Sequence, residues 1–207
     1  MHRVETLPAA FARYSKVGGV LEFAAFDDAE DSDDEAITAI RAALGEPSDF
    51  DAEALRAIGN RDLFRADFLG DRCDLASRKL IRRGTWRTTD GKELVDPPLV
   101  TLDKIRISTG GVGMPLPGDG GDFARAFAEP PYGLKAQPSE VQALFDEIHD
   151  FLLPRRELHL IRDWASPRLP EVSCYFRHGM EWWGVFHFTI YQPLRRRVIA
   201  IAGSTTN

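Results

Sequence analysis

Trp182-Trp183-Gly184-Val185-Phe186-His187-Phe188-Thr189-Ile190-Tyr191, then Gln192-Pro193-Leu194-Arg195, then Arg196-Arg197-Val198-Ile199-Ala200-Ile201-Ala202-Gly203, is the stretch from which the fold is read. Two runs of strand length flank a turn carrying Pro193, and together they predict a β-hairpin. Successive side chains of a strand point to opposite faces. Gly184, Phe186, Phe188 and Ile190 therefore share one face, and Trp183, Val185, His187, Thr189 and Tyr191 share the other. Strands that are apolar on both faces belong in the middle of a sheet covered on both sides.

The cover is legible upstream. Pro138-Ser139-Glu140 opens a helix in which Val141, Leu144, Phe145, Ile148 and Phe151-Leu152 form a stripe, and Pro154 stops it. Ile37, Ile40, Ala43 and Leu44 keep the same spacing, with Ser32 or Asp33 as cap, as do Phe50, Ala54, Leu55 and Ile58 after Ser48 and Asp49. Further strands are predicted over 20–26, with Leu21, Phe23 and Ala25 on one face, and over 99–107 and 157–164. Residues 85–95 form a second hairpin around Asp90-Gly91. Residues 8–16, 61–69 and 72–83 fit short helices, the last with a strand alternative. The expected fold class is α+β: one domain over 1–207, a mainly antiparallel sheet of about five to seven strands, with helices near 34–44, 49–58 and 139–152 packed on it. The C-terminal hairpin is central in that sheet. Residues 108–133, dense in Gly and Pro, mark a mobile loop or a subdomain junction, with a short helix possible over 122–128.

Composition narrows the class. The 207 residues are 43% hydrophobic and 28% charged, which suits a packed core and argues against disorder. Two cysteines, Cys73 and Cys174, are too few for a disulfide framework and read as free thiols of a cytoplasmic protein. No run approaches the ~18 apolar residues of a membrane helix. The net charge of -6 argues against nucleic acid, whose phosphates are met by Lys and Arg.

That average conceals a gradient. Residues 1–60 carry 5 basic and 13 acidic residues, whereas residues 151–207 carry 8 basic and 4 acidic. Asp27, Asp28, Glu30, Asp31, Asp33, Asp34 and Glu35 concentrate the acid, and Arg195-Arg196-Arg197 and Arg155-Arg156 much of the base. The acidic run lacks the spacing and the Gly of a calcium loop. It reads as a surface for a basic protein partner, its last members favourably placed at a helix N-terminus. The two arginine groups could form a basic edge against an acidic partner.

Three other constellations bear on chemistry. Cys174, His178 and Glu181 fall at i, i+4 and i+7, and with His187 would supply a thiol–imidazole pair or an open metal site. Against that stand Gly179, which disfavours a continuous helix, and the absence of His-Glu-x-x-His and Gly-x-Ser-x-Gly. Trp183, His187 and Tyr191 could floor a small-molecule pocket. Ser108 to Gly113 follows a predicted strand, but Pro115 and Pro117 prevent the helix that a phosphate loop needs, and no Gly-Lys-Ser/Thr occurs. No cofactor or metal is implied. The leading expectation is a non-catalytic binding protein with its acidic half on a basic partner, and the rival is a small hydrolase or metal-dependent enzyme.

Overall fold

The computed structural model describes residues 1–111, 122–177 and 179–204. The first half of the chain runs β1 (His2–Arg3), α1 (Ala9–Lys16), β2 (Glu22–Asp27), α2 (Asp33–Ala43), α3 (Ala52–Ile58), β3 (Arg61–Leu63), α4 (Arg65–Leu69), β4 (Cys73–Asp74), β5 (Lys79–Leu80), β6 (Thr85–Thr88), β7 (Glu93–Val95) and β8 (Ile107–Gly111). It continues with α5 (Phe123–Ala128), α6 (Pro138–Leu152), β9 (Leu160–Asp163), α7 (Leu169–Val172), α8 (Gly179–Trp182), β10 (Phe186–Gln192) and β11 (Arg197–Gly203).

Six strands make one antiparallel sheet in the order β1-β2-β11-β10-β9-β3, so the C-terminal hairpin is central, as its two apolar faces require. Ile190 pairs with Ile199 and Phe188 with Ile201. These four and Phe186 face one core, shared with buried residues of α1, α4, α5 and α6. Val185, Val198, Ala200, Ala24 and Phe26 face the other core, beneath α2, α3 and α7. Each fully buried Phe, Leu or Ile of these layers contributes roughly 1.5–3 kcal/mol. Ser32 caps α2, its hydroxyl accepting from the Glu35 N–H at 3.2 Å. The predicted α6 stripe is buried almost whole.

A smaller antiparallel sheet, β7-β6-β8, stands beside this body, its β6–β7 turn made by Asp90 and Gly91, the latter at φ +86°. Four local expectations change. Residues 61–63, expected to begin a helix, form strand β3 against β9, and α4 starts only at Arg65. Residues 73–80 form a tight hairpin, β4–β5, because the Asp74 carboxylate accepts from the Ser77 N–H and hydroxyl, both at 2.6 Å, and closes a loop instead of a helical turn. Residues Leu99–Lys104 form a 3-10 helix behind Pro98, and the strand expected there begins only at Ile107. The strand expected from Trp182 begins at Phe186. Gly184 sits at φ +124°, which breaks the two-residue alternation. Trp183 accordingly joins the core on the α5–α6 side, with Phe186, rather than Val185's face.

Candidate functional site

One concavity collects around α5. Phe123-Ala124-Arg125-Ala126-Phe127-Ala128 is apolar except for one residue, and the core takes it in almost entirely. Phe123 stacks on Phe68 at 5.0 Å and Phe127 meets Phe145 edge-on at 5.3 Å, fixing the helix rigidly. The Asp122 carboxylate caps it, accepting from the Arg125 N–H at 2.8 Å. Arg125 is carried inward with its neighbours and is only 9% exposed.

Its guanidinium donates to the Trp183 carbonyl at 2.8 Å and lies 5.8 Å from the centre of the Phe186 ring. The Trp183 indole N–H donates to the Glu129 carbonyl at 2.9 Å. Helix α5 and the residue before Gly184 thus hold each other in place. The loops flanking the β4–β5 hairpin bring Arg72 and Arg82 to the same opening. The Glu129 carboxylate lies 3.8 Å from Arg72 Nε and 3.4 Å from Arg82 Nη1. Arg82 also covers the Trp86 ring at 5.0 Å. Between these groups is a cleft of about 520 Å³ whose walls include Trp183, Leu99, Leu134 and Val141. That volume is in the range of small-molecule sites, about 300–1,000 Å³.

The electrostatics are uneven. Among the described residues no carboxylate comes within 4.0 Å of the Arg125 guanidinium, whose hydrogen bond goes to a neutral carbonyl. Burial first, and Arg72 second, pull its pKa below the ordinary value, against the opposing pull of Glu129, Asp122 and Asp71. Arg72 Nε is buried without a hydrogen-bond partner. Asp122 is displaced the other way: burial, reinforced by Asp71, raises it from 3.8 to about 6 against the N–H of Arg125 and the nearby arginines. A buried cation with no matched anion is costly. An apolar cleft with surplus guanidinium at its inner end can hold an anion with a hydrophobic body.

The sequence-predicted residues are distributed as follows. Trp183 lines the cleft, whereas His187 and Tyr191 lie on the opposite face of the sheet. His187 is 0% exposed, its ring tilted against Phe176 at 5.0 Å, with neither ring nitrogen hydrogen-bonded. Burial depresses its pKa to about 3, so the ring is neutral. The Tyr191 hydroxyl donates to the Ala29 carbonyl at 3.1 Å and ties down the acidic loop. Cys174 is exposed, its backbone N–H donating to Asp49 at 2.7 Å. The adjacent Asp49 carboxylate raises the thiol, the reverse of what a nucleophile needs. His178 and the side chain of Glu181 lie outside the described residues. Among the described residues no group of three or more His, Cys, Asp and Glu could hold a metal ion.

All seven carboxylates of the acidic run have partners within the chain. Asp27 takes a two-pronged contact from Arg197 at 2.6 and 2.9 Å, which holds its carboxyl below the usual range. Asp31 takes another from Arg162 at 2.6 and 3.0 Å. Asp34 meets Arg56 at 2.6 Å, Glu30 meets Arg196 at 3.6 Å and Asp28 meets His2 at 3.2 Å. Asn60 donates to Asp33 at 3.3 Å, and the Glu30 N–H donates to Glu35 at 2.5 Å. The arginines of residues 196–197 therefore serve the N-terminal acids, and Arg195 is taken by Glu157 at 2.9 and 3.0 Å.

Arg72, Arg82, Arg125 and Glu129 were not marked by sequence pattern. One signal was present: a single cation inside the otherwise apolar Phe123–Ala128 helix must be buried with it. Comparison with known proteins finds no matching family model, no matching curated protein and no matching solved structure.

Proposed function

We propose that the protein is a non-catalytic binding protein whose ligand is a small organic anion, a carboxylate on an apolar or aromatic body, seated in the cleft between α5, Trp183 and the Arg72–Arg82 loops. The observation that carries this reading is Arg125: a guanidinium 9% exposed, with a neutral carbonyl for its hydrogen-bond partner. A carboxylate entering past Leu99 and Val141 supplies the missing charge, and its apolar part covers the Trp183 face. Binding is favoured over hydrolysis because the Cys174 thiol is raised by Asp49 and the His187 ring is sealed away from solvent.

The test is a titration of intrinsic tryptophan fluorescence with phenylacetate and, as its uncharged counterpart, phenylacetamide. Phenylacetate should bind saturably and at least about tenfold more tightly than the amide, the worth of one charge-assisted hydrogen bond. Arg125→Met should abolish that preference. Equal affinity for acid and amide would sink the proposal.

A second reading keeps the acidic run as a docking surface for a basic protein. Its specific support is the outward position of Glu30 and Asp34, whose side chains are 78% and 79% exposed although each touches an arginine. Exposed pairs of this kind are worth at most about 1 kcal/mol, so a partner's Lys or Arg can replace Arg196 or Arg56 at little cost. Charge reversal at Glu30 and Asp34 that left capture of a basic partner unchanged would remove this reading.

A further inference from the structure

The second arginine pair singled out in the sequence, Arg155-Arg156, is not spent on the acidic run. It meets Arg65 and Arg78 across a separate groove of about 570 Å³, rimmed by Phe64 and Leu75. Four arginines line this one concavity, and among the described residues one carboxylate forms an ion pair with them: Asp150, 2.6 Å from Arg78. Among the described residues no carboxylate lies within 4.0 Å of Arg65, Arg155 or Arg156. Like charge accumulates as a result, and burial together with Arg78 pulls the Arg65 pKa below its ordinary value.

His149, on the buried face of α6, shows the groove to be short of acceptors. It is 1% exposed, and its two ring nitrogens both face guanidinium donors: Nε2 toward Arg65 at 3.1 Å and Nδ1 toward Arg78. A neutral imidazole offers one lone pair and one N–H, so it can accept from only one of the two arginines. Protonation would remove even that acceptor and add a fifth positive charge. Arg78 Nε is buried and has no hydrogen-bond partner. Arg78 and Arg156 hold left-handed backbones, φ +59° and +64°, a conformation that costs non-glycine residues about 1 kcal/mol or more and gathers at functional sites. At the rim Phe64 is 81% exposed and Leu75 50%, apolar surface beside the cations with no cover of its own.

The geometry points to a phosphate site: Arg65, Arg78, Arg155 and Arg156 bind the dianion of a phosphate group, and Phe64 and Leu75 take the organic part of a phosphomonoester. Guanidinium forks match phosphate oxygens two at a time, and a dianion supplies the acceptors that His149 cannot. The groove differs in kind from the α5 cleft, which is mainly apolar and where Glu129 lies between Arg72 and Arg82, so that Arg125 suits a monoanion. Cys73 lies near the same arginines, but burial raises its thiol to about 11, so the phosphate is held rather than attacked.

The experiment is isothermal titration of the intact protein at low ionic strength with phenyl phosphate and with inorganic phosphate. We expect one-to-one binding, with phenyl phosphate the tighter. Binding should be weakened at least about tenfold in Arg65→Gln/Arg155→Gln, because two forks are lost. Arg106→Gln, the removal of one positive charge elsewhere on the surface, should leave it unaltered. Thermal melting of each variant shows that it is folded, and the single variant Arg156→Gln replaces the double one if it is not. Equal affinity for the two probes supports the phosphate site with free phosphate as its ligand. Failure of either probe to saturate, or equal loss in Arg106→Gln, overturns the assignment.

Discussion

Replacing Asp122 by Asn should change the pH dependence of stability by an amount that the burial of its carboxyl sets. Asp122 caps α5 through the Arg125 N–H, and the amide oxygen of Asn accepts the same bond, so the helix keeps its cap. The ionisation is what disappears. In the folded protein burial raises Asp122 from 3.8 to about 6. A raised carboxyl binds its proton more tightly folded than unfolded, so it favours the folded state below its unfolded value. That contribution is lost as pH rises from about 4 through about 6. A shift of roughly two units at about 1.36 kcal/mol each gives about 3 kcal/mol. The assay is urea unfolding of both proteins at intervals between pH 3.5 and 7.5 (about the span over which the shifted group titrates). Paired carboxylates such as Asp27 and Glu157 have lowered values and act in the opposite direction, but they are common to both proteins and cancel in the difference. The stability of wild type minus Asp122→Asn should fall by about 3 kcal/mol across this range. A flat difference would show that Asp122 titrates normally and that its carboxyl is in contact with solvent.

Further changes test the remaining structure. His187→Leu removes two unpaired buried nitrogens and should stabilise by about 1 kcal/mol at neutral pH in urea unfolding. It should also resist acid: with His187 depressed from 6.5 to about 3, the wild type loses stability as pH falls below 6.5, because only its unfolded state takes the proton. Asp31→Asn should cost about 1–3 kcal/mol by breaking the forked contact with half-buried Arg162, and a double-mutant cycle with Arg162→Met should recover a coupling of that size. Gly70→Ala should cost at least about 2 kcal/mol in thermal or urea unfolding. Alanine would have to hold φ +70°, in the left-handed region, and its Cβ would overlap the Asp122 carboxyl group.

What could be read from the sequence was whatever depends on period and on strong punctuation. The two-faced apolar runs at 186–192 and 197–203 demand a central place in a sheet, and the α6 stripe ending at Pro154 demands a helix on it. Both outcomes follow from burial alone. Residues 73–80 and 99–104 could not be read, because their conformations are settled by single side-chain bonds and tertiary seats. Asp74 closes one loop on Ser77, and the Leu80 N–H is claimed by the Gln142 side chain of α6 at 2.8 Å. The side of the sheet to which Trp183 turns could not be read either. One positive φ at Gly184 decides that, and a sequence does not display it.

The site followed the same rule at larger scale. In sequence the chain is acidic at one end and basic at the other, which suggests two charged surfaces. In space β2 lies against β11, and the pairing of Phe26 with Val198 places Asp27 beside Arg197. The same sheet carries Arg162 of β9 toward Asp31. Fold topology therefore cancels the most conspicuous charges against one another. The crowded cations are Arg125 inside an apolar helix, Arg65 in α4 and Arg78 in the β4–β5 turn, paired with Asp150, none of which stood out in the sequence, and Arg155-Arg156 after α6, which did. A buried or crowded guanidinium persists in a stable fold only if something else outweighs its cost. At both concavities the deficit is of negative charge beside exposed apolar surface, so organic anions, rather than the basic partner that the acidic run first suggested, are the ligands to try first.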